Sequence, residues 1–202
     1  MNIEYSEGKI VLNRELSGLD KFVIDFVKIL DKHDIRYVLV SGYVSIVFGR
    51  SRYTEDVDMI IQKLTYDEFE DLWDDITKEF ECMNTDSPKD AYNNFLNEYA
   101  AIRFHRSGSA FPNMEFKIGT VNDDLYSLSN FIELILSGNR LFISQIEFQI
   151  SYKFYLGSQK DLEDAKFLYK LLEKHIDKKL LLNHLNKLNI DSKLIEEYLG
   201  YL

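Results

Sequence analysis

Asp56-Val57-Asp58 sets two carboxylates at the start of an apolar run, Met59-Ile60-Ile61. Successive strand residues point to opposite faces, so Asp56 and Asp58 project together while Val57 enters the other layer. Two carboxylates on one face make an oxygen-donor site suited to Mg²⁺, which takes one or two protein carboxylates at about 2.0–2.1 Å and completes its octahedron with phosphate oxygens and water. The bland alternative is a solvated strand end. Asp is depleted in strands, however, and two of them abutting an apolar run need a reason. Ser41-Gly42, at the end of the preceding apolar run, supplies one: glycine lets the backbone turn and approach a ligand closely, and N–H groups opening the next helix can hold a phosphate. Arg50 and Arg52 add positive charge nearby.

The elements that must position these groups are legible in the periodicity. Leu19, Phe22, Val23, Phe26, Val27 and Leu30 recur at helical spacing behind Ser17, a plausible N-cap. Ile35–Ser41 reads as a buried strand, Val44–Phe48 as a short helix and Asp56–Gln62 as a second strand. Thr65 and Glu68 have capping-box spacing ahead of a helix expected over Tyr66–Phe80, and Ala91–Glu98 is a weaker helical stretch. Ala100–Arg106 and Asn113–Gly119 flank a turn-rich segment and read as a hairpin. Leu128–Leu136 has a helical look and Arg140–Ser144 that of a last strand. Ser144 and Glu147 suggest a capping box for a helix over Gln145–Leu156; Lys160–Lys174, Asp177–Leu188 and Ser192–Tyr201 follow as helices. The expected organisation is α+β, with residues 1–140 as a mixed sheet flanked by helices and 141–202 as a helical C-terminal subdomain.

Composition narrows the partners. The chain has 202 residues, and 34 acidic against 24 basic side chains give a net charge of −10, which excludes generic polyanion binding. With 46% hydrophobic residues and only 2 Pro, a folded core is expected rather than disorder. The single Cys82 excludes an intramolecular disulfide and a cysteine zinc site. His33, His105, His175 and His184 show no metal-ligand spacing. No signal-like segment and no apolar run of membrane-spanning length is apparent, so the expected location is the cytoplasm, away from membranes.

Ser41–Ile61 resembles the signature of the DNA polymerase β-like nucleotidyltransferase superfamily, and is most similar to its small bacterial and archaeal branch of antibiotic adenylyltransferases and AbiE-type toxins. In that branch a glycine pair, x and Ala precede Gly-x-x-Arg-x-Thr-x-Asp-x-Asp. Gly49, Arg52, Thr54, Asp56 and Asp58 match residue by residue, whereas Ser41-Gly42 stands for the glycine pair and Val44 for the Ala. The resemblance implies a nucleotidyltransferase fold and metal-dependent transfer of a nucleoside monophosphate from an NTP, ATP foremost, to an acceptor hydroxyl or phosphate. It assigns Asp56 and Asp58 as catalytic metal ligands and Ser41, Gly42 and Arg52 to the nucleotide. It also calls for a third carboxylate in a hydrophobic-acid-hydrophobic setting. Met114-Glu115-Phe116 offers one, the other reading of Glu115 being an edge-strand charge beside Lys117. A second, weaker likeness is a helical Lys followed by Lys-Asp-x-x-Asp, here Lys153 and Lys160-Asp161-Leu162-Glu163-Asp164. Lys153 then either meets the triphosphate or forms a salt bridge with Asp161 or Asp164. The acceptor is left open among a small molecule, a tRNA end and a protein; a homodimer is compatible. The alternative is a non-catalytic nucleotide-binding or toxin–antitoxin partner module that keeps the fold.

Overall fold

The computed structural model describes residues 2–6, 8–120 and 122–201. The strands among them are β1 (Asn2–Ser6), β2 (Lys9–Asn13), β3 (Tyr37–Val40), β4 (Asp56–Ile61), β5 (Phe80–Cys82), β6 (Ile102–Arg106), β7 (Asn113–Ile118), β8 (Phe131–Leu136) and β9 (Asn139–Ser144). They form one mixed sheet in the order β1-β2-β8-β9-β3-β4-β7-β6-β5. The helices are α1 (Gly18–Lys32), α2 (Gly42–Val47), α3 (Tyr66–Ile76), α4 (Pro88–Asn94), α5 (Asn122–Ser129), α6 (Ile146–Leu156), α7 (Gln159–Leu172), α8 (Lys178–Lys187) and α9 (Ser192–Leu199). The architecture is the expected mixed sheet with flanking helices, and among the described residues α6, α7, α8 and α9 follow the last strand.

Strand alternation divides the work of the sheet. On β4, Val57 and Met59 are fully buried and belong to a continuous apolar core with Phe104, Met114 and Phe116 of β6 and β7. Phe26 of α1 packs on that layer, its ring edge-on to Phe80 at 5.1 Å and to Phe116 at 6.1 Å. Asp56 and Asp58 therefore emerge on the opposite face. α1 starts where its sequence predicts: Ser17 accepts from the Asp20 N–H and Asp20 returns a bond to the Ser17 N–H. Buried Asp20 also takes Arg14 through both oxygens, at 2.7 and 2.8 Å, and the Tyr43 hydroxyl at 3.0 Å.

Several sequence expectations are corrected. The helix expected to reach Phe80 ends at Ile76 with Thr77 as C-cap; Phe80 keeps the helical spacing but is buried in the edge strand β5, opposite Arg106. The helical reading of Leu128–Leu136 fails because α5 lies earlier and Phe131–Leu136 alternates as a strand, with Ile132, Leu134 and Leu136 inward. Ser137 and Gly138, at φ 47° and 86°, close its hairpin to β9. The helix expected over Ala91–Glu98 starts earlier, at Pro88, and ends at Asn94, a short 3-10 turn over Leu96–Glu98 following it. The capping box of Ser144 and Glu147 does not form. Gln145 is the N-cap, Ser144 donates to Gln149, and Glu147 accepts the Asp177 N–H at the start of α8.

Candidate active site

The register of the sheet builds the site. β4 and β7 run parallel with Asp58 beside Glu115 and Asp56 beside Asn113; Val40 of β3 flanks Asp58 on the other side and Arg103 of β6 flanks Glu115. A transverse row thus reads Val40, Asp58, Glu115, Arg103. Asp58, Ile60, Glu115 and Lys117 line a cleft of about 150 Å³, closed by Asp123, Asp124 and Ser127 of α5 and by Phe148, Gln149 and Tyr152 of α6.

The electrostatics of the row centre on Asp58. Burial, then the charges of Asp56 and Glu115, push its pKa up, against a hydrogen bond from Ser41 and the positive charge of Lys153. Asp56 is held by Thr54, whose hydroxyl lies 3.0 Å from both its carboxylate and its carbonyl oxygen. Glu115 pairs with Arg103 at 2.5 Å, and Lys117 turns to Asp124 at 3.4 Å.

Ser41 occupies the turn between β3 and α2 at φ 59° and ψ −128°, a conformation that favours glycine and costs a side-chain-bearing residue on the order of 1–3 kcal/mol. Gln149 clasps this residue. Its amide oxygen accepts from the Ser41 N–H at 3.2 Å and from the Ser144 hydroxyl at 2.8 Å, and its amide nitrogen donates to the Ser41 carbonyl at 2.9 Å.

Gly42 permits a close approach by Arg52: a Cβ at Gly42 would lie 2.5 Å from the guanidinium, which would have to shift against its bond to Asp164. Arg52 in turn reaches Asp164 at 2.5 Å, and Arg50 binds Asp164 at 2.5 Å and Glu163 at 2.7 Å. Lys153, nearly inaccessible, contacts Asp161 at 2.6 Å and Asp164 at 3.1 Å. The salt-bridge reading of Lys153 is therefore the one this structure contains. The Lys-Asp-x-x-Asp segment ties the motif loop to α6 and α7, with three cations around one fully buried carboxylate.

The structure thus brings Asp56, Asp58, Glu115, Ser41 and Gly42 to one place, and sets Arg52 and Lys153 beside them in ion pairs. Sequence reasoning missed Arg103, Gln149, Asp123 and Asp124. Arg103 alternates into the strand pattern as an ordinary exposed charge, and Gln149 meets Ser41 across 108 positions.

The donor set is all oxygen, as a hard divalent cation requires. Asp56 and Asp58 fit Mg²⁺ bound by two carboxylates, and their mutual repulsion is what a cation would relieve. With Glu115 turned to Arg103, no group of three His, Cys, Asp or Glu among the described residues converges closely enough to hold a metal ion.

No protein-family model and no curated protein sequence matches this chain. Its fold does match solved structures. An antigenic nucleotidyltransferase-like protein from Paracoccidioides brasiliensis superposes with a TM-score of 0.56 at 18% identity, covering 91% of this chain and 94% of that one. ANT(2'')-Ia in complex with adenylyl-2''-tobramycin gives 0.55 at 13% identity over 85% and 99%. The lincosamide antibiotic adenylyltransferase LnuA, lincomycin-bound, gives 0.50 at 13% identity over 78% and 99%. The chain has the nucleotidyltransferase fold, as its motif implied. Among the described residues no helix is long and apolar enough to cross a membrane.

Proposed function

We propose that this chain is a nucleotidyltransferase that moves a nucleoside monophosphate, AMP from ATP, to an acceptor hydroxyl or phosphate and releases pyrophosphate. The observation that carries the reading is the pairing of Asp58 with Glu115 in register on adjacent strands, with Asp56 on the same face, at a cleft in the nucleotidyltransferase fold. The acceptor oxygen forms a bond to the α-phosphorus as the bond to the β-phosphate oxygen breaks, and the acceptor proton passes to Glu115. Asp56 and Asp58 would hold Mg²⁺, which when bound supplies charge neutralisation for the triphosphate. Ser41 and Gly42 shape the turn against which the phosphates lie. Arg52 and Lys153 contribute positive charge from behind that turn while staying in their ion pairs.

The cleft also bears on the acceptor. Asp58, Glu115, Asp123 and Asp124 line it against Lys117 alone, and Asp123 has no ion-pair partner among the described residues. Together with the net charge of −10, this lining repels a tRNA end and favours a small cationic acceptor such as an amino sugar. Tobramycin, whose adenylyl derivative occupies ANT(2'')-Ia, is a suitable first probe.

The test is Mg²⁺-dependent pyrophosphate release from each NTP, with tobramycin, lincomycin and bulk tRNA as acceptors. Release that depends on Asp58 and is stimulated by a cationic acceptor supports the proposal. Nucleotide binding with no release under any condition would favour the non-catalytic partner module, a reading supported by the closed Glu115–Arg103 pair.

A further inference from the structure

We propose that Gln149 is the positioning residue that allows a serine to stand where the turn's backbone favours glycine, and that through this clasp it holds the turn ending β3 in place at the cleft beside Asp58. The inference rests on the transferase reading for its catalytic consequence, but its structural content stands independently.

Three observations carry it. First, Ser41 is the residue with positive φ that joins β3 to α2, and it lines the cleft together with Asp58, so any relaxation of the turn reshapes the wall beside the carboxylate row. Second, α2 gives the turn no help of its own: Ser41 is the N-cap residue, yet its side chain makes no capping bond. Third, Gln149 answers both backbone polar groups of Ser41 at once. It does so in the manner of a neighbouring strand, at the point where the pairing of β3 with β9 stops after Leu39 and Ile143. The amide cannot be reversed without cost, because the Ser41 N–H can only donate and needs its oxygen, while the Ser41 carbonyl can only accept and needs its nitrogen. Gln149 is itself buried, so its polar atoms have little recourse to water. A leucine there would leave the Ser41 N–H and carbonyl unpaired and the turn free to relax to a conformation that serine prefers.

A double-mutant cycle separates this role from ordinary core packing. Glycine adopts the conformation of Ser41 without steric cost, so Ser41→Gly should change kcat for pyrophosphate release by only a few-fold, roughly the loss of one hydroxyl contact. Gln149→Leu should lower kcat about 100-fold, with a much smaller change in KM for ATP. In Gln149→Leu/Ser41→Gly the turn no longer needs the clasp, and kcat should recover at least about tenfold over Gln149→Leu. A double variant no more active than Gln149→Leu, or a Gln149→Leu enzyme equal to wild type, overturns the proposal. Gln149→Glu, which keeps shape and acceptors but cannot donate to the Ser41 carbonyl, supplies the same comparison should the leucine variant fail to fold. If wild type releases no pyrophosphate, the transferase reading has failed on its own. Hydrogen exchange at the Ser41 amide then decides the clasp: faster exchange confined to that turn in Gln149→Glu supports it, and unchanged exchange overturns it.

Discussion

Asp58 sits in an environment that resists its charge, through burial and the neighbouring charges of Asp56 and Glu115. Asp56→Asn and Asp58→Asn should each abolish transfer while leaving the fold intact, because they remove charge from a strand end and nothing from the core. Their melting temperatures without metal should equal or slightly exceed that of wild type, since burial and the charges of Asp56 and Glu115 already disfavour ionised Asp58. A melting curve beside a turnover assay checks both halves; a large loss of stability would assign the pair to structure. For Glu115, Glu115→Gln should cut turnover by at least about a hundredfold, as expected for loss of a group that receives a proton. Lys117→Gln, whose charge is directed at Asp124, should stay within a few-fold of wild type. Equal effects would remove Glu115 from the reaction. The carboxylate pair was legible in the sequence because strand alternation is a local rule. Arg103 and Gln149 were not, because cross-strand register and the reach of a side chain from α6 to β3 are settled only by tertiary packing.

The elements are joined at two buried charge clusters. Asp164 of α7 collects Arg50, Arg52 and Lys153, so Asp164→Asn would strip Arg52 of its ion-pair partner and leave Arg50 with Glu163 and Lys153 with Asp161. Breaking a buried pair costs about 3–5 kcal/mol, which for a chain of this length is a drop in melting temperature of roughly 10 °C. Lys153→Met should lower stability in the same direction, and affinities for ATP and AMP, measured by calorimetry, should fall together. A selective loss of ATP affinity with normal stability would instead give Lys153 to the triphosphate. The second cluster sits at the start of α1. Burial of Asp20 would raise its pKa, but the hydrogen bonds from Arg14 and Ser17 outweigh it and hold the pKa below the usual carboxylate range. A depressed folded pKa means stabilisation that is complete above the unfolded value and is lost as pH falls through the folded one. Melting curves recorded from neutral pH into acid should therefore fall less steeply for Asp20→Asn than for wild type. The Ser17 cap was readable in advance, since capping is local. Strands β5 and β8 were not: Phe80 and Phe131–Leu136 satisfy helical and strand spacing alike, and sheet neighbours decide between them.

At the scale of the whole molecule, the sheet order sets the two carboxylate strands β4 and β7 side by side near its middle, with one face reserved for apolar packing and the other opened as a cleft by α5 and α6. Net charge excluded generic polyanion binding from the sequence while leaving a tRNA end open as acceptor; the cleft adds a local acidic lining, through residues on α5 whose position no periodicity announced. Transferase activity at Asp58 is tested by pyrophosphate release from ATP and Mg²⁺ in the presence of tobramycin, comparing wild type with Asp58→Asn, both shown to be folded by their melting curves. Wild type should release pyrophosphate, none should appear after chelation of Mg²⁺, and none should come from the variant. Equal release by the two proteins, or ATP binding by wild type with no release for any acceptor, would contradict transferase activity at Asp58.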